Sequence, residues 1–245
     1  MTKSRFFAIL LALLPAVSFA AAGVKLEASH TDLDDRASLQ RGAALYMNYC
    51  SACHSLSLQR YSRIADDLGL SAEQVEQNLM FGTAKIGETI HTGFDPAKGE
   101  KWFGKAAPDL SLVARAKLGG PDWVYSYLKG FYLDETRPLG WNNTVFPGAS
   151  MPHVLWELQG LQRAVYKPVT EGAAAQIDRL ELVSPGRLSP QEYDRVARDL
   201  TAFLQYTAEP AALKRYSIGV WVVLFLSFFT FIAYLLKLEF WRDVH

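Results

Sequence analysis

Both cysteines of this chain lie within one five-residue stretch, Cys50-Ser51-Ala52-Cys53-His54. The pattern Cys-x-x-Cys-His is the attachment site of a c-type haem. Its spacing sets the thiols about one helical turn apart, so each can add to a different vinyl group of one porphyrin while the adjacent imidazole reaches the iron. A vicinal disulfide or a thioredoxin-like pair would use the same cysteines, but neither needs the histidine, and no βαβ pattern surrounds the motif. A zinc site would have to draw two further ligands from His30, His91 and His153, which show no paired spacing. The motif predicts one covalently held haem c, with His54 on the iron.

The iron then has a sixth position, and its occupant separates electron carriers from gas-binding chemistry. Apart from Met1, the chain offers Met47, Met80, Met151, His30, His91 and His153. Met47 precedes Cys50 by one turn of the same segment and cannot swing to the opposite face of the ring. Met80 ends an amphipathic pattern and reads as core packing. Met151 sits in Phe146-Pro147-Gly148-Ala149-Ser150-Met151-Pro152, where prolines and a glycine keep the backbone out of helix and present a side chain outward. Met151 is the favoured ligand. A histidine in that place, or a methionine that only fills a gap, remains as an alternative.

Several elements must position these groups. Apolar residues from Leu39 to Tyr49 recur at helical spacing and lead directly into the motif, so Cys50 should sit at a helix end. Ser71-Ala72-Glu73-Gln74 is a capping box that opens a helix to about Met80. Gly119-Gly120-Pro121-Asp122 precedes a helix from Trp123 to about Phe131. Ser189-Pro190-Gln191-Glu192 combines an N-cap, a proline at the first turn and a returning glutamate. Behind it, Tyr193, Val196, Ala197, Leu200, Phe203 and Leu204 form one apolar stripe, for which the helix ending at Cys50 is the expected partner. Thr92 to Pro108 and Pro138 to Pro152 read as loops. Alternation in Ala164-Val165-Tyr166 and Leu180-Glu181-Leu182-Val183, around Thr170-Glu171-Gly172, reads as a small β-hairpin.

The two ends place the domain. Lys3 and Arg5, an apolar run from Phe6 to Val17, and small residues from Ala20 to Ala22 give residues 1–22 the layout of a secretory signal. An uncleaved anchor is disfavoured because the run is short and contains Pro15. Tyr216 to Leu236 is 21 residues without a charge, about 31 Å as a helix against a hydrocarbon core of about 30 Å. The expected organisation is a haem domain at 23–213 in the periplasm, a transmembrane helix at 214–238 and a cytoplasmic tail at 239–245. With 25 basic and 25 acidic side chains the net charge is zero, so nothing points to nucleic acid. Asp32, Asp34, Asp35, Asp66 and Asp67 could face a basic redox partner or simply be solvated surface.

Beyond the haem motif, an ordered set of segments resembles the cytochrome c1 family, the haem subunits of the ubiquinol-cytochrome c reductase (cytochrome bc1) complex, in its bacterial form. The set comprises Arg41-Gly42 and Tyr46, Cys50 to Ser55, Ala107 to Ser111, Arg115 to Ser126, Phe146-Pro147-Gly148 with Met151-Pro152, Phe203-Leu204 and Ala208-Glu209-Pro210. The resemblance implies a mainly α, cytochrome c-like haem domain with long loops and one C-terminal transmembrane helix. It implies thioethers at Cys50 and Cys53, His54 and Met151 as axial ligands, and a Pro108 carbonyl accepting the imidazole N–H. Arg115 matches a family arginine. Lys117 stands where the family has an arginine at a haem propionate, and Trp123 where it has a tyrosine, so those contacts would be made by different chemistry. Implied partners are cytochrome b, the Rieske iron-sulfur protein as donor, and a soluble or membrane-bound cytochrome c as acceptor. The subunit would serve a bacterial inner-membrane quinol oxidoreductase without making bonds itself. A terminal-oxidase haem subunit, a free-standing membrane cytochrome, and a gas sensor or peroxidase are the rival readings. Residues 157–188 exceed the length the resemblance leads one to expect.

Overall fold

A computed structural model describes residues 25–168 and 175–243. The signal at 1–22 and the turn at 170–172 lie outside the described residues. Helix α1 (Arg36–Tyr49) starts where the Asp35 carboxylate accepts the N–H of Ser38, and it ends on Cys50. Strand β1 (Leu56–Arg60) pairs antiparallel with β2 (Thr89–Ile90), and between them lie α2 (Tyr61–Leu68) and α3 (Ala72–Asn78). Both arms of the Ser71 capping box form, but α3 stops at Asn78, two residues short of Met80. The Asn78 side chain bonds back to the Gln74 carbonyl in the last turn, and the Leu79 N–H closes the end on the Val75 carbonyl.

The stretch expected as loop from Thr92 to Pro108 contains a helix, α4 (Pro96–Phe103). Here the proline marks an entry: Asp95 caps the N-terminus, Pro96 fits the first turn, and left-handed Gly104 closes the end. After α5 (Val113–Ala116) comes α6 (Gly120–Lys129), which begins three residues before the expected Trp123 because Pro121 is already inside its first turn.

Short strands β3 (Phe131–Leu133) and β4 (Trp141–Asn143) pair antiparallel, so the second expected loop also holds a strand. Following α7 (Trp156–Gln159), β5 (Gly160–Tyr166) and β6 (Ile177–Pro185) form the expected hairpin, longer than the alternation suggested. The hairpin is not isolated. Leu133 of β3 pairs parallel with Arg163 of β5, giving a four-stranded sheet ordered β4-β3-β5-β6.

Helix α8 (Pro190–Ala208) forms its capping box at Ser189 and lays its stripe on α1, as expected. Leu39, Ala43, Tyr46, Ala197, Leu200 and Phe203 are all fully buried between them. The close approach depends on Gly42, where a Cβ would stand 2.1 Å from the Asp199 carbonyl oxygen and 2.7 Å from Phe203 Cβ. Asp199 in turn accepts from Ser38 Oγ at 2.5 Å and from both Nε and Nη2 of Arg41, at 2.6 and 2.9 Å. Pro210 interrupts the chain before α9 (Ala212–Trp241), whose first turn packs Leu213 on the core and which over Ser217–Trp241 is unburied and long and apolar enough to cross a membrane.

Candidate haem site

The site starts at the end of α1. The N–H of Cys50 still donates to the Tyr46 carbonyl at 2.8 Å, and a tight turn follows in which the N–H groups of Cys53 and His54 both donate to the Cys50 carbonyl. Tyr46, fully buried against Phe203, donates its hydroxyl to the His54 carbonyl at 2.6 Å. The helix packing of α1 on α8 therefore fixes the turn that carries the ligand. Cys50 and Cys53 are free thiols, Cys50 buried and Cys53 half-buried. Burial, reinforced by Cys53 nearby, pushes the Cys50 thiol up to about 12.

His54 is buried, and its Nδ1 lies 2.7 Å from the Pro108 carbonyl. A carbonyl only accepts, so Nδ1 carries the proton and Nε2 keeps its lone pair for a metal. Burial lowers the imidazole's proton affinity, and the Pro108 bond opposes this only in part. Pro108 is held in turn by its successor: the Asp109 carboxylate accepts the N–H groups of Ser57 and Ser111, at 2.8 and 2.7 Å. Thr92 closes the other side of the motif, donating its hydroxyl to the Ala52 carbonyl and its N–H to Ser55 Oγ. The donor set fits a c-type haem: two unpaired thiols, and one imidazole with its second nitrogen anchored.

Met151 is half-buried in a loop that the β3–β4 hairpin stitches down. Asn143, fully buried, accepts the N–H groups of Val145 and Phe146 and donates to the Tyr127 carbonyl. Asn142 accepts the N–H of Gly148, and Arg137 donates to the Gly148 carbonyl. Beyond Met151, His153 stacks on Phe131 with centroids 4.8 Å apart and meets Trp141 edge-on. Its Nε2 has no partner among the described residues, and burial pushes the imidazole down to about 4. Motif reading did not single out Asn142, Asn143 or Arg137 as supports. The signal was present in the Asn-Asn pair beside turn residues, which favours side-chain to backbone bonds.

Lys117 and Trp123 come together with the Met151 loop. Lys117 Nζ stands 4.5 Å above the Trp123 ring and 5.2 Å from Phe146, and Trp123 meets Phe146 edge-on. From Trp123 the aromatic series continues through Tyr127 to Phe131. Arg115 is placed differently. It pairs with Glu209 at 3.0 Å, and Glu209 also holds Arg215, so Arg115 ties α5 to the foot of α9. Leu118, beside Lys117, is 95% exposed. A concavity lies elsewhere, between β6 and α8 beside Lys129 and Asp194, and includes none of the haem-motif residues.

A sequence model described as the cytochrome C1 family matches residues 28–80 and 80–244. The chain belongs to the cytochrome c1 family. It is 52% identical to a cytochrome c1 of Allochromatium vinosum over 99% of this chain and 100% of that one, and 30% identical to a cytochrome c1 of Rhodospirillum rubrum over 86% and 83%. It is also 40% identical, over 100% of this chain and 99% of the relative, to a protein of Nitrosomonas europaea named ammonia monooxygenase gamma subunit. As a cytochrome c1 family member it is a haem-carrying electron-transport subunit of the bc1 type, with haem c bound covalently at the Cys50–Cys53 spacing and an apolar C-terminal helix as anchor.

Proposed function

We propose that this chain accepts single electrons from the Rieske iron-sulfur protein and passes them to a soluble or membrane-bound cytochrome c, working beside cytochrome b in a bacterial quinol-oxidising complex. The observation that carries the reading is the His54 Nδ1 to Pro108 bond behind a pair of free thiols. It prepares an iron ligand that does not have to reorganise when an electron arrives or leaves. Cys50 and Cys53 would hold the ring by thioethers, His54 would bind the iron through Nε2, and Met151 would close the sixth position. When bound, the haem supplies a one-electron couple. Lys117, which stands over the Trp123 ring, and Trp123 itself would supply a cation and an indole N–H to the propionates, in place of the arginine and tyrosine of the family pattern. Phe146 meets Trp123 edge-on, which joins the Met151 loop to α6.

The organisation proposed with this function is a cleaved signal at 1–22, a periplasmic domain at 23–213, a span of the inner membrane at 214–238 and a cytoplasmic tail at 239–245. Extraction in mild detergent tests the assembly. Cytochrome b and the Rieske protein should remain with the chain, and added quinol should reduce its haem. Isolation with oxidase subunits, or with a complex like that named for the Nitrosomonas relative, would overturn the reading.

A further inference from the structure

The β3–β4 hairpin grips the Met151 loop on both sides. Ahead of Met151, Arg137 and Asn142 bond to Gly148. Behind it, the buried His153 ring stacks on Phe131 of β3 and meets Trp141 of β4 edge-on. Only Pro152 separates His153 from Met151, and its ring locks its own φ, so a fixed imidazole leaves Met151 little freedom. Stacking alone lets a ring slide or turn in its plane, whereas a hydrogen bond is directional.

The side chain placed to make such a bond is Gln159. The N–H groups of Leu158 and Gln159 both donate to the Leu155 carbonyl, which winds α7 directly after His153. Gln159 Nε2 donates to the Lys129 carbonyl at 3.0 Å, and Gln162 Nε2 reaches the same oxygen at 3.1 Å. A flipped Gln159 amide would set its oxygen against that carbonyl, so Oε1 is the atom left over. Oε1 is buried and without a partner among the described residues, and so is His153 Nε2. The two side chains are within reach of each other, since Gln159 opposes the effect of burial on the imidazole. An amide oxygen only accepts, and a neutral imidazole carries its proton on either nitrogen. With the proton on Nε2, one bond satisfies both buried atoms. With it on Nδ1, two lone pairs face each other away from water.

We propose that His153 is a positioning residue for the sixth iron ligand: held as the Nε2–H tautomer by Gln159 Oε1, it fastens the far end of the Met151 loop to the end of α6. This rests on the reading that Met151 closes the sixth position, and adds to it the group that keeps the sulfur there. A thioether has no charge to hold it on the iron, so its occupancy depends on how seldom the loop opens. Loss of one buried hydrogen bond should raise the open fraction about ten-fold.

The test uses the full-length haem-loaded protein in mild detergent, with isotope-labelled histidine. In the reduced state, NMR of the ring nitrogens should place the His153 proton on Nε2. His153→Phe keeps an aromatic ring against Phe131 and Trp141 and removes the N–H, while Gln159→Leu removes the acceptor and leaves the Lys129 carbonyl to Gln162. Each should speed carbon monoxide binding to the ferrous haem by about ten-fold and lower the midpoint potential, by less than Met151→Ala does. The double variant H153F/Q159L should bind no faster than either single variant, because both remove the same bond. If His153→Phe fails to take up haem, Gln159→Leu and the tautomer decide. A proton on Nδ1, single variants no faster than the parent, or a double variant that multiplies the two effects overturns the positioning bond and leaves Met151 on the iron. If Met151→Ala itself changes neither the potential nor carbon monoxide binding, the reading of the sixth ligand fails and the role of His153 fails with it.

Discussion

At the scale of single residues, the two cysteines of the motif are not equivalent. Cys50 is buried at the end of α1, with its thiol pushed up to about 12, whereas Cys53 is half-exposed. In protein produced without haem, a thiolate-directed alkylating reagent should therefore label Cys53 well before Cys50, as read by peptide mass spectrometry. Equal or reversed labelling would show that the end of α1 opens in the absence of the ring. Met151 offers the second residue-level expectation. Met151→Ala should lower the midpoint potential by on the order of 0.1 V, a fraction of the roughly 0.8 V that axial ligands span, and should let carbon monoxide bind the reduced iron. An unchanged potential would remove Met151 from the iron.

At the scale of elements, the site is only as rigid as the contact between α1 and α8. Gly42 is the point of closest approach, and any side chain there meets backbone atoms of Asp199, which cannot step aside. Gly42→Ala should cost about 1–3 kcal/mol or more despite the better helix propensity of alanine, because the helices must part. Denaturation followed by tryptophan fluorescence checks this, and a variant as stable as the parent would mean that α8 is free to shift. The same loss should reach the chemistry, since Tyr46 links the α1 and α8 contact to the His54 carbonyl. Elements also show where sequence reading succeeded. The Ser71 and Ser189 capping boxes and the end of α1 at Cys50 were legible because each is settled by residues three or four positions apart. Helix α4 was missed although Asp95-Pro96 and Gly104 spell its start and stop. The prolines and glycines that mark loops also mark helix boundaries, and local composition does not separate the two uses.

At the scale of the whole molecule, a charged cluster ties three distant parts of the chain together. Lys129 at the end of α6 donates to Glu27 at 2.6 Å and to Asp194 of α8 at 2.9 Å, and Asp194 also receives Arg198 and the Tyr125 hydroxyl. Burial alone would raise the Asp194 carboxyl, but hydrogen bonds from Tyr125, Lys129 and Arg198 outweigh it and hold the group at about 2. A depressed carboxylate stabilises the fold above its unfolded value near 3.9, and the contribution disappears as pH falls toward 2. Asp194→Asn should thus lose roughly 1 kcal/mol at neutral pH and show a shallower loss of stability between about pH 4 and 2, where the two proteins converge. Urea midpoints measured across that range test the sign. A constant difference between the two proteins at every pH would exclude ionic linkage.

What the sequence determined by itself is everything set by near neighbours in the chain. That includes the Cys-x-x-Cys-His motif at Cys50 to His54, the caps that start α3 and α8, and a C-terminal helix long and apolar enough to cross a membrane. Residue spacing alone carries these features, since each is completed within a few turns of backbone. The tertiary structure decided which distant groups complete the site. It brought Pro108 to an imidazole 54 residues away, set Phe146 against Trp123 and Lys117, joined the hairpin to β3 in a parallel pair, and turned Arg115 toward the foot of the anchor helix. It also separated the acidic residues around Asp35 from the motif by the length of α1. Such pairings depend on how loops close and which apolar faces meet, and no local pattern of residue types encodes that geometry.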